Sequence, residues 1–176
     1  MSATPLIRRW AVVLNILSIL AIVVVLVAVA AGILFGDIPN DIRMAAGLAA
    51  GDVVPGARVG FIAVIGALPA AAVIYVLVQM GRLFRSYAVG ETLTRRCARA
   101  ITRIGAGLLF MAAMGAVVRP LQILLASLDN PPGERVLAIG FGTMDLGLVL
   151  AGGLLLTIGW AMSDAVAAAR ENAEFV

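Results

Sequence analysis

Long apolar runs separated by short polar stretches dominate the chain. A helix rises about 1.5 Å per residue, so about 20 apolar residues cross a hydrocarbon core of about 30 Å. Four runs meet this length: residues 10–35, 59–80, 104–128 and 143–163. The pattern predicts four membrane-spanning helices.

The polar stretches between these runs are of two kinds. Residues 36–58 and 129–142 are rich in Pro, Gly, Asn and Asp, which is typical of turns. Apolar positions at helical spacing between Ile38 and Ala49 predict a short interfacial helix in the first of these loops. The third stretch, residues 81–103, is instead rich in arginine.

Helix signals subdivide the arginine-rich segment 81–103. Gly90 is suited to the end of one helix, and Thr94 is suited to the N-cap of the next. The third spanning helix is therefore predicted to begin as an arginine-rich stem outside the bilayer.

The arginines divide unevenly between the two sides of this layout. One side carries nine and the other carries three. Because positive charge is retained in the cytoplasm, both termini are predicted to be cytoplasmic. Trp10 and Trp160 fall at the predicted cytoplasmic ends of their helices, where indole rings anchor at headgroups. The first run is longer than the 7–15 residues of a signal-peptide core, so we expect no cleavage.

Composition supports this layout and excludes a soluble domain. Apolar residues make up 62% of the chain, charged residues 13%, and the mean hydropathy is +1.09. Soluble domains carry roughly 45–50% apolar and about 25% charged residues. We predict one all-α domain over residues 1–176, a polytopic four-helix transmembrane bundle of the inner membrane.

Missing residue types narrow the chemistry. The chain has no His and no Lys, and Cys97 is its single cysteine. These absences remove the usual near-neutral acid–base group, the Schiff-base amine and a thiolate metal cluster. We expect no enzyme activity, no cofactor and no metal site. The net charge of +3 is concentrated at membrane edges, so nucleic acid is not an expected partner.

Two charged residues lie within the spans. Arg119 is predicted below the outer interface, and Asp145 enters from the same side on the next helix. A charge in the hydrocarbon is costly and needs a partner. We therefore predict an Arg119–Asp145 pair, which would fix the packing of the third and fourth spanning helices or, alternatively, serve transport or proton transfer.

Uncharged polar and small residues predict contacts between helices. Asn15 and Ser18 are candidates for interhelical hydrogen bonds, whereas Gln79 and Gln122 are expected to be solvated at span ends. Small residues recur every four positions on three helices, as expected for close packing: Ala28, Gly32 and Gly36; Ala63, Ala67 and Ala71; Gly153, Thr157 and Ala161.

Six arginines of the segment 81–103 form a predicted cytoplasmic basic patch: Arg82, Arg85, Arg95, Arg96, Arg99 and Arg103. Such a patch attracts anionic headgroups at about 1 kcal/mol per charge. It sets topology and contacts lipid, or it docks an acidic cytoplasmic protein.

Several short motifs carry a family resemblance. They are Leu83-Phe84 followed by Tyr87, Gly90-Glu91, Thr94, Ile104-Gly105, Gly159-Trp160-Ala161, and a tail of Glu171-Asn172 ending Phe175-Val176. From about Leu83 onward the chain resembles the bacterial domain-of-unknown-function 2975 family. It departs from that pattern at Leu93, where Phe is usual, and at Cys97, where Asn is usual. The resemblance implies a four-span inner-membrane protein of unassigned activity.

Three function classes remain. The favoured one is a structural or regulatory protein that binds a cytoplasmic partner or anionic lipid through its basic face. The alternative is an oligomeric transporter or channel subunit, although no inverted repeat is visible in the sequence. A membrane enzyme is the third class and would have to use the few acidic residues or Cys97.

Overall fold

The computed structural model describes residues 5–35, 38–49, 53–91, 94–131, 135–137, 140 and 142–174, without the side chains of 5–7, 170 and 172–174. In this part of the chain there are helices and no strand. The elements are α1 (Pro5–Phe35), α2 (Asn40–Ala45), α3 (Gly56–Ala88), α4 (Arg95–Ala126), a 3-10 turn (Ser127–Asp129) and α5 (Thr143–Glu174). The all-α prediction is confirmed, and α2 is the short helix expected in the first loop.

Helices α1, α3, α4 and α5 are each long and apolar enough to cross a membrane. They contain 31 to 33 residues, which corresponds to about 46–50 Å, well beyond a core of about 30 Å. The extra length of α3 and α4 lies in the segment 81–103, which continues both helices as arginine-bearing stems.

The spanning helices are antiparallel to their neighbours, so the bundle has two chemically different ends. We call the basic end the one where α3 ends and α4 begins, and the α2 end the opposite one. The turn at the basic end follows from two local signals. Gly90 has φ +87°, and the N–H groups of Gly90 and Glu91 donate to the carbonyls of Tyr87 and Ser86 at 3.1 and 2.9 Å. This is a Schellman ending, as the glycine predicted.

The spanning helices pack in chain order. Helix α1 packs along α3, α3 along α4, and α4 along α5. Between the described residues of α1 and α4, α1 and α5, or α3 and α5, no Cα atoms come within 8 Å. The bundle is therefore an open row, in which α1 and α5 form the two edges.

Helices α4 and α5 approach closely through glycines. A Cβ atom on Gly105 would lie 2.7 Å from the Gly152 carbonyl oxygen, and one on Gly159 would collide with Thr102 Oγ1. The stripe predicted on this helix was wrong, because Gly153 has open space beside it. The α5 glycines that contact α4 are Gly152 and Gly159, which lie on a different face of the helix.

The predicted small residues of α1 and α3 do not form a close contact, because a Cβ atom on Gly32 would meet nothing within 4 Å and Ala71 lines a cavity between α3 and α4 instead. Ala28 and Gly32 line one side of a cavity of about 320 Å³, and Ala63 and Ala67 line the other; Gly36 lies outside the described residues. The predicted hydrogen bond between helices was wrong for Ser18, whose hydroxyl donates to the Leu14 carbonyl of its own helix at 2.9 Å.

The α2 end has its own apolar core. Ile42 of α2, Ile62 of α3 and Ile123 of α4 are buried together there. Two polar side chains fasten the adjoining loops. The Asn130 amide donates to the Ala46 carbonyl at 3.0 Å, and the Ser127 hydroxyl accepts from the Val136 N–H at 3.2 Å.

Candidate functional site

Five of the six predicted patch arginines surround one cavity between α3 and α4 at the basic end. The cavity has a volume of about 330 Å³, and we call it the arginine cavity. Its lining residues are Gln79, Arg82, Arg85 and Ser86 on α3, and Arg96, Arg99, Ala100 and Arg103 on α4. Arg95 of the predicted patch does not line it; its carbonyl instead accepts from Arg99 Nε at 3.2 Å.

Helical spacing explains why these side chains converge. On α3, Gln79, Arg82 and Ser86 are separated by three and four positions, which places them on one helix face. On α4, Arg96, Ala100 and Arg103 have the same spacing. The two helices are antiparallel on either side of the Gly90 turn. The face of α3 that carries these residues therefore meets the corresponding face of α4.

The N-cap of α4 anchors the turn beside the cavity. Thr94 Oγ1 accepts from the Cys97 N–H at 3.3 Å, as the sequence predicted. The Cys97 thiol is fully buried and lies 3.1 Å from the Glu91 carbonyl oxygen, to which it donates. Cys97 therefore closes the turn as a structural group.

An apolar cluster holds α3 and α4 together beneath the cavity. It comprises Val76, Leu83, Cys97, Ala100, Ile101 and Ile104. Ala100 belongs both to this cluster and to the cavity lining. The arginines therefore project from a packed base, which limits the positions that their Cα atoms can take.

No carboxylate offsets the charge of the arginine cavity among the residues described. None of its lining residues is acidic, and no ion pair reaches any of its five arginines within the described ranges. Guanidinium groups stay protonated at any physiological pH and match carboxylates and phosphates with paired donors. The cavity is therefore a concentrated, unneutralised cationic site.

Gln79 lies at the floor of this cavity. It is 3% exposed and lines the cavity together with Arg82 and Ser86. Sequence reasoning placed Gln79 in solvent at a span end, and that was wrong. The missed signal was its spacing of three and seven residues from Arg82 and Ser86.

The sequence analysis also expected Gln122 to be solvated at a span end, and that was wrong. Its side chain is buried and its Nε2 donates to the Ile62 carbonyl at 3.0 Å, which joins α4 to α3. A Cβ atom on Gly66 would lie 2.7 Å from that nitrogen, so the glycine makes room for the amide.

The structure does not bring Arg119 and Asp145 together. Arg119 Nη2 lies 3.4 Å from Asp41 Oδ2 at the α2 end. Asp145 Oδ2 accepts from the Gly142 N–H at 2.9 Å, which caps the start of α5. The predicted Arg119–Asp145 pair was therefore wrong. Arg119 pairs with Asp41 on α2, and Asp145 caps its own helix.

The described residues offer no group of three His, Cys, Asp or Glu side chains that could hold a metal ion. The chemistry that the arginine cavity can perform is recognition of an anion, through charge and multiple N–H donors.

Comparison with known proteins identifies the chain's relatives. The family described as "Protein of unknown function (DUF2975)" matches residues 43–176. The chain belongs to this family. The DUF2975 match includes α3, α4 and α5, hence the whole arginine cavity, and begins after α1. No curated protein and no solved structure matches the chain.

One of the two departures from the usual DUF2975 pattern can be placed in the structure. Cys97 is the buried thiol beneath the turn, and it occupies the third position of α4. Leu93 lies outside the described residues.

Proposed function

We propose that this DUF2975 protein is a non-catalytic inner-membrane protein that works by binding an anionic partner in the arginine cavity. The observation that supports the proposal most is five arginines around one cavity with no acidic residue in its lining. The basic end would face the cytoplasm, because the arginine-rich side of a membrane protein is retained there.

The ligand is expected to present several oxygen atoms that share negative charge. An arginine fork binds a carboxylate or phosphate through two parallel N–H···O bonds, and such charge-assisted bonds contribute about 1.5–3 kcal/mol each. Five forks around about 330 Å³ fit a compact anionic group. A structural or regulatory role follows, in which the protein is recruited by, or recruits, the molecule carrying that group.

The test is calorimetric titration of the full chain, purified in neutral detergent at low salt, with the soluble polyanion tripolyphosphate. The cavity variant is Arg96→Gln/Arg99→Gln/Arg103→Gln. The matched control, Arg8→Gln/Arg9→Gln/Arg95→Gln, removes the same charge from exposed arginines that do not line the cavity.

We expect wild type and the control to bind within about threefold of each other. The cavity variant should lose at least about tenfold in affinity, which corresponds to about 1.4 kcal/mol. Equal losses in both triple variants would show that diffuse charge, rather than the cavity, binds the anion. No binding by wild type would overturn the proposal.

A further inference from the structure

A second cavity continues the arginine cavity toward the middle of the membrane. It has a volume of about 560 Å³ and lies between the same two helices. Leu68, Ala71 and Tyr75 line it on α3, and Ala106, Phe110 and Met114 line it on α4. We call it the apolar groove.

Residue spacing shows that the two cavities share one face of the helix pair. On α3, Leu68, Ala72 and Tyr75 continue to Gln79 in steps of three or four residues. On α4, Arg103 continues to Gly107, Phe110 and Met114 in the same steps. The arginine cavity and the apolar groove therefore follow one another along a single α3–α4 furrow.

The length of the groove corresponds to one leaflet. Eleven positions separate Gln79 from Leu68, and eleven separate Arg103 from Met114. At about 1.5 Å per residue the groove runs for about 16 Å. Half of a hydrocarbon core of about 30 Å is nearly the same distance.

Close helix contact gives the groove a floor. A Cβ atom on Gly107 would lie 2.6 Å from Val76 Cγ2 and 3.4 Å from Tyr75 Cδ1, so α3 and α4 meet directly at that depth. The small residues Ala71 and Ala106 above this contact are exposed, which leaves the furrow open toward the bilayer.

The junction between the two cavities carries a polar group. Gln79, which is 3% exposed, lies where the arginines are followed by the apolar lining. An amide at this depth can donate to and accept from a polar linkage located between a charged group and an acyl chain.

We propose that the furrow binds one anionic phospholipid from the leaflet at the basic end. Its phosphate lies among the five arginines, and one acyl chain follows the apolar groove. This inference rests on the proposed function, because it names the anion that the arginine cavity takes. Charge at one end, an apolar channel one leaflet long and a polar junction together match a phospholipid, whereas an acidic protein segment would leave the groove unused.

The experiment is native mass spectrometry of the detergent-purified chain, titrated with dioleoyl phosphatidylglycerol or with dioleoyl phosphatidylcholine. Ala106→Phe fills the groove without changing charge. Ala151→Phe is the matched control, an exposed alanine of α5 outside the groove. Ala71→Phe fills the groove from α3, and circular dichroism checks the fold of each variant.

We expect wild type and Ala151→Phe to bind one phosphatidylglycerol at least about tenfold tighter than phosphatidylcholine. Ala106→Phe and Ala71→Phe should each lose at least about fivefold in phosphatidylglycerol affinity while they retain tripolyphosphate binding. The triple arginine variant should lose the preference between the two lipids.

Two results separate failure of this inference from failure of the proposed function. If tripolyphosphate binds in the arginine cavity but phosphatidylglycerol binds no tighter than phosphatidylcholine, the lipid is wrong and the anion site stands. Unchanged phosphatidylglycerol affinity in both groove-filling variants would likewise overturn the lipid. If no anion binds, both proposals fail.

Discussion

The arginines at the two ends of the bundle differ in whether they form ion pairs. At the α2 end, Arg58 pairs with Asp129, and Arg119 pairs with Asp41. Both pairs connect a long helix to a neighbouring loop or short helix, so these charges serve the fold. At the basic end, five arginines surround one cavity without a described carboxylate partner.

This difference separates structural charge from charge that is available to a ligand. Packing does not distinguish the ends, since each has an apolar cluster of buried residues between α3 and α4. Burial therefore gives no reason to prefer one end over the other as a ligand site. The absence of a carboxylate partner among the described residues is the reason we propose the basic end as the binding end.

The largest effects should come from the two apolar clusters, and they should be similar. Ile123 at the α2 end is 2% exposed and Ile101 at the basic end is 8% exposed. Ile123→Ala and Ile101→Ala should each lower the free energy of unfolding by about 2–5 kcal/mol, because each leaves a cavity. Reversible unfolding in mixed detergent measures the loss. A difference above about 3 kcal/mol between the variants would show that packing, too, distinguishes the ends.

The next largest effect is expected from a variant that gives the basic end a carboxylate partner, as the α2 end already has. Ser86→Glu places a carboxylate in the arginine cavity, whose lining includes Ser86. Two opposite charges about 4 Å apart attract by about 4 kcal/mol at an effective dielectric of 20, and exposure reduces that value. We expect tripolyphosphate affinity to fall about thirtyfold in calorimetry.

Ala165→Glu is the control for this charge change. Ala165 is exposed on α5 and does not line the arginine cavity. Its variant should bind within about threefold of wild type at 0.15 M salt, because salt screens an exposed charge that does not line the cavity. A loss as large as that of Ser86→Glu would contradict a localised site.

The smallest effect concerns an ion pair of the α2 end. The side chains of Arg119 and Asp41 are 62% and 60% exposed. Exposed pairs contribute about 0–1 kcal/mol, so a double-mutant cycle of Arg119→Gln and Asp41→Asn should give a coupling below about 0.5 kcal/mol. Tripolyphosphate affinity should be unchanged in all three variants. A coupling above about 2 kcal/mol would show that this pair is a buried, functional one.

Local signals allowed much of the fold to be predicted. Gly90 and Thr94 act within a few residues of chain, and the structure has the expected turn and cap at both. Apolar runs of sufficient length produced the four spanning helices. The convergence of Arg82 with Arg103 followed from antiparallel stems joined by a short turn.

Properties that depend on helix rotation could not be predicted. One position along a helix changes the direction of a side chain by about 100°, so a stripe through Gly153 and one through Gly152 look equally suitable in sequence. Gln79 and Gln122 are buried because α3 and α4 pack together on those faces. Arg119 pairs with Asp41 rather than with Asp145, because the Asp145 carboxylate caps the start of α5.

The open row of helices has a consequence for biogenesis. Each spanning helix contacts only the ones that directly precede and follow it among the spanning helices. A helix leaving the ribosome can therefore dock on the one already inserted, without waiting for a later segment of the chain. Contacts between neighbours in sequence also close short loops, which favours rapid assembly. The arginine cavity, which is lined by α3 and α4 alone, would be complete as soon as α4 has entered the bilayer, before α5 inserts.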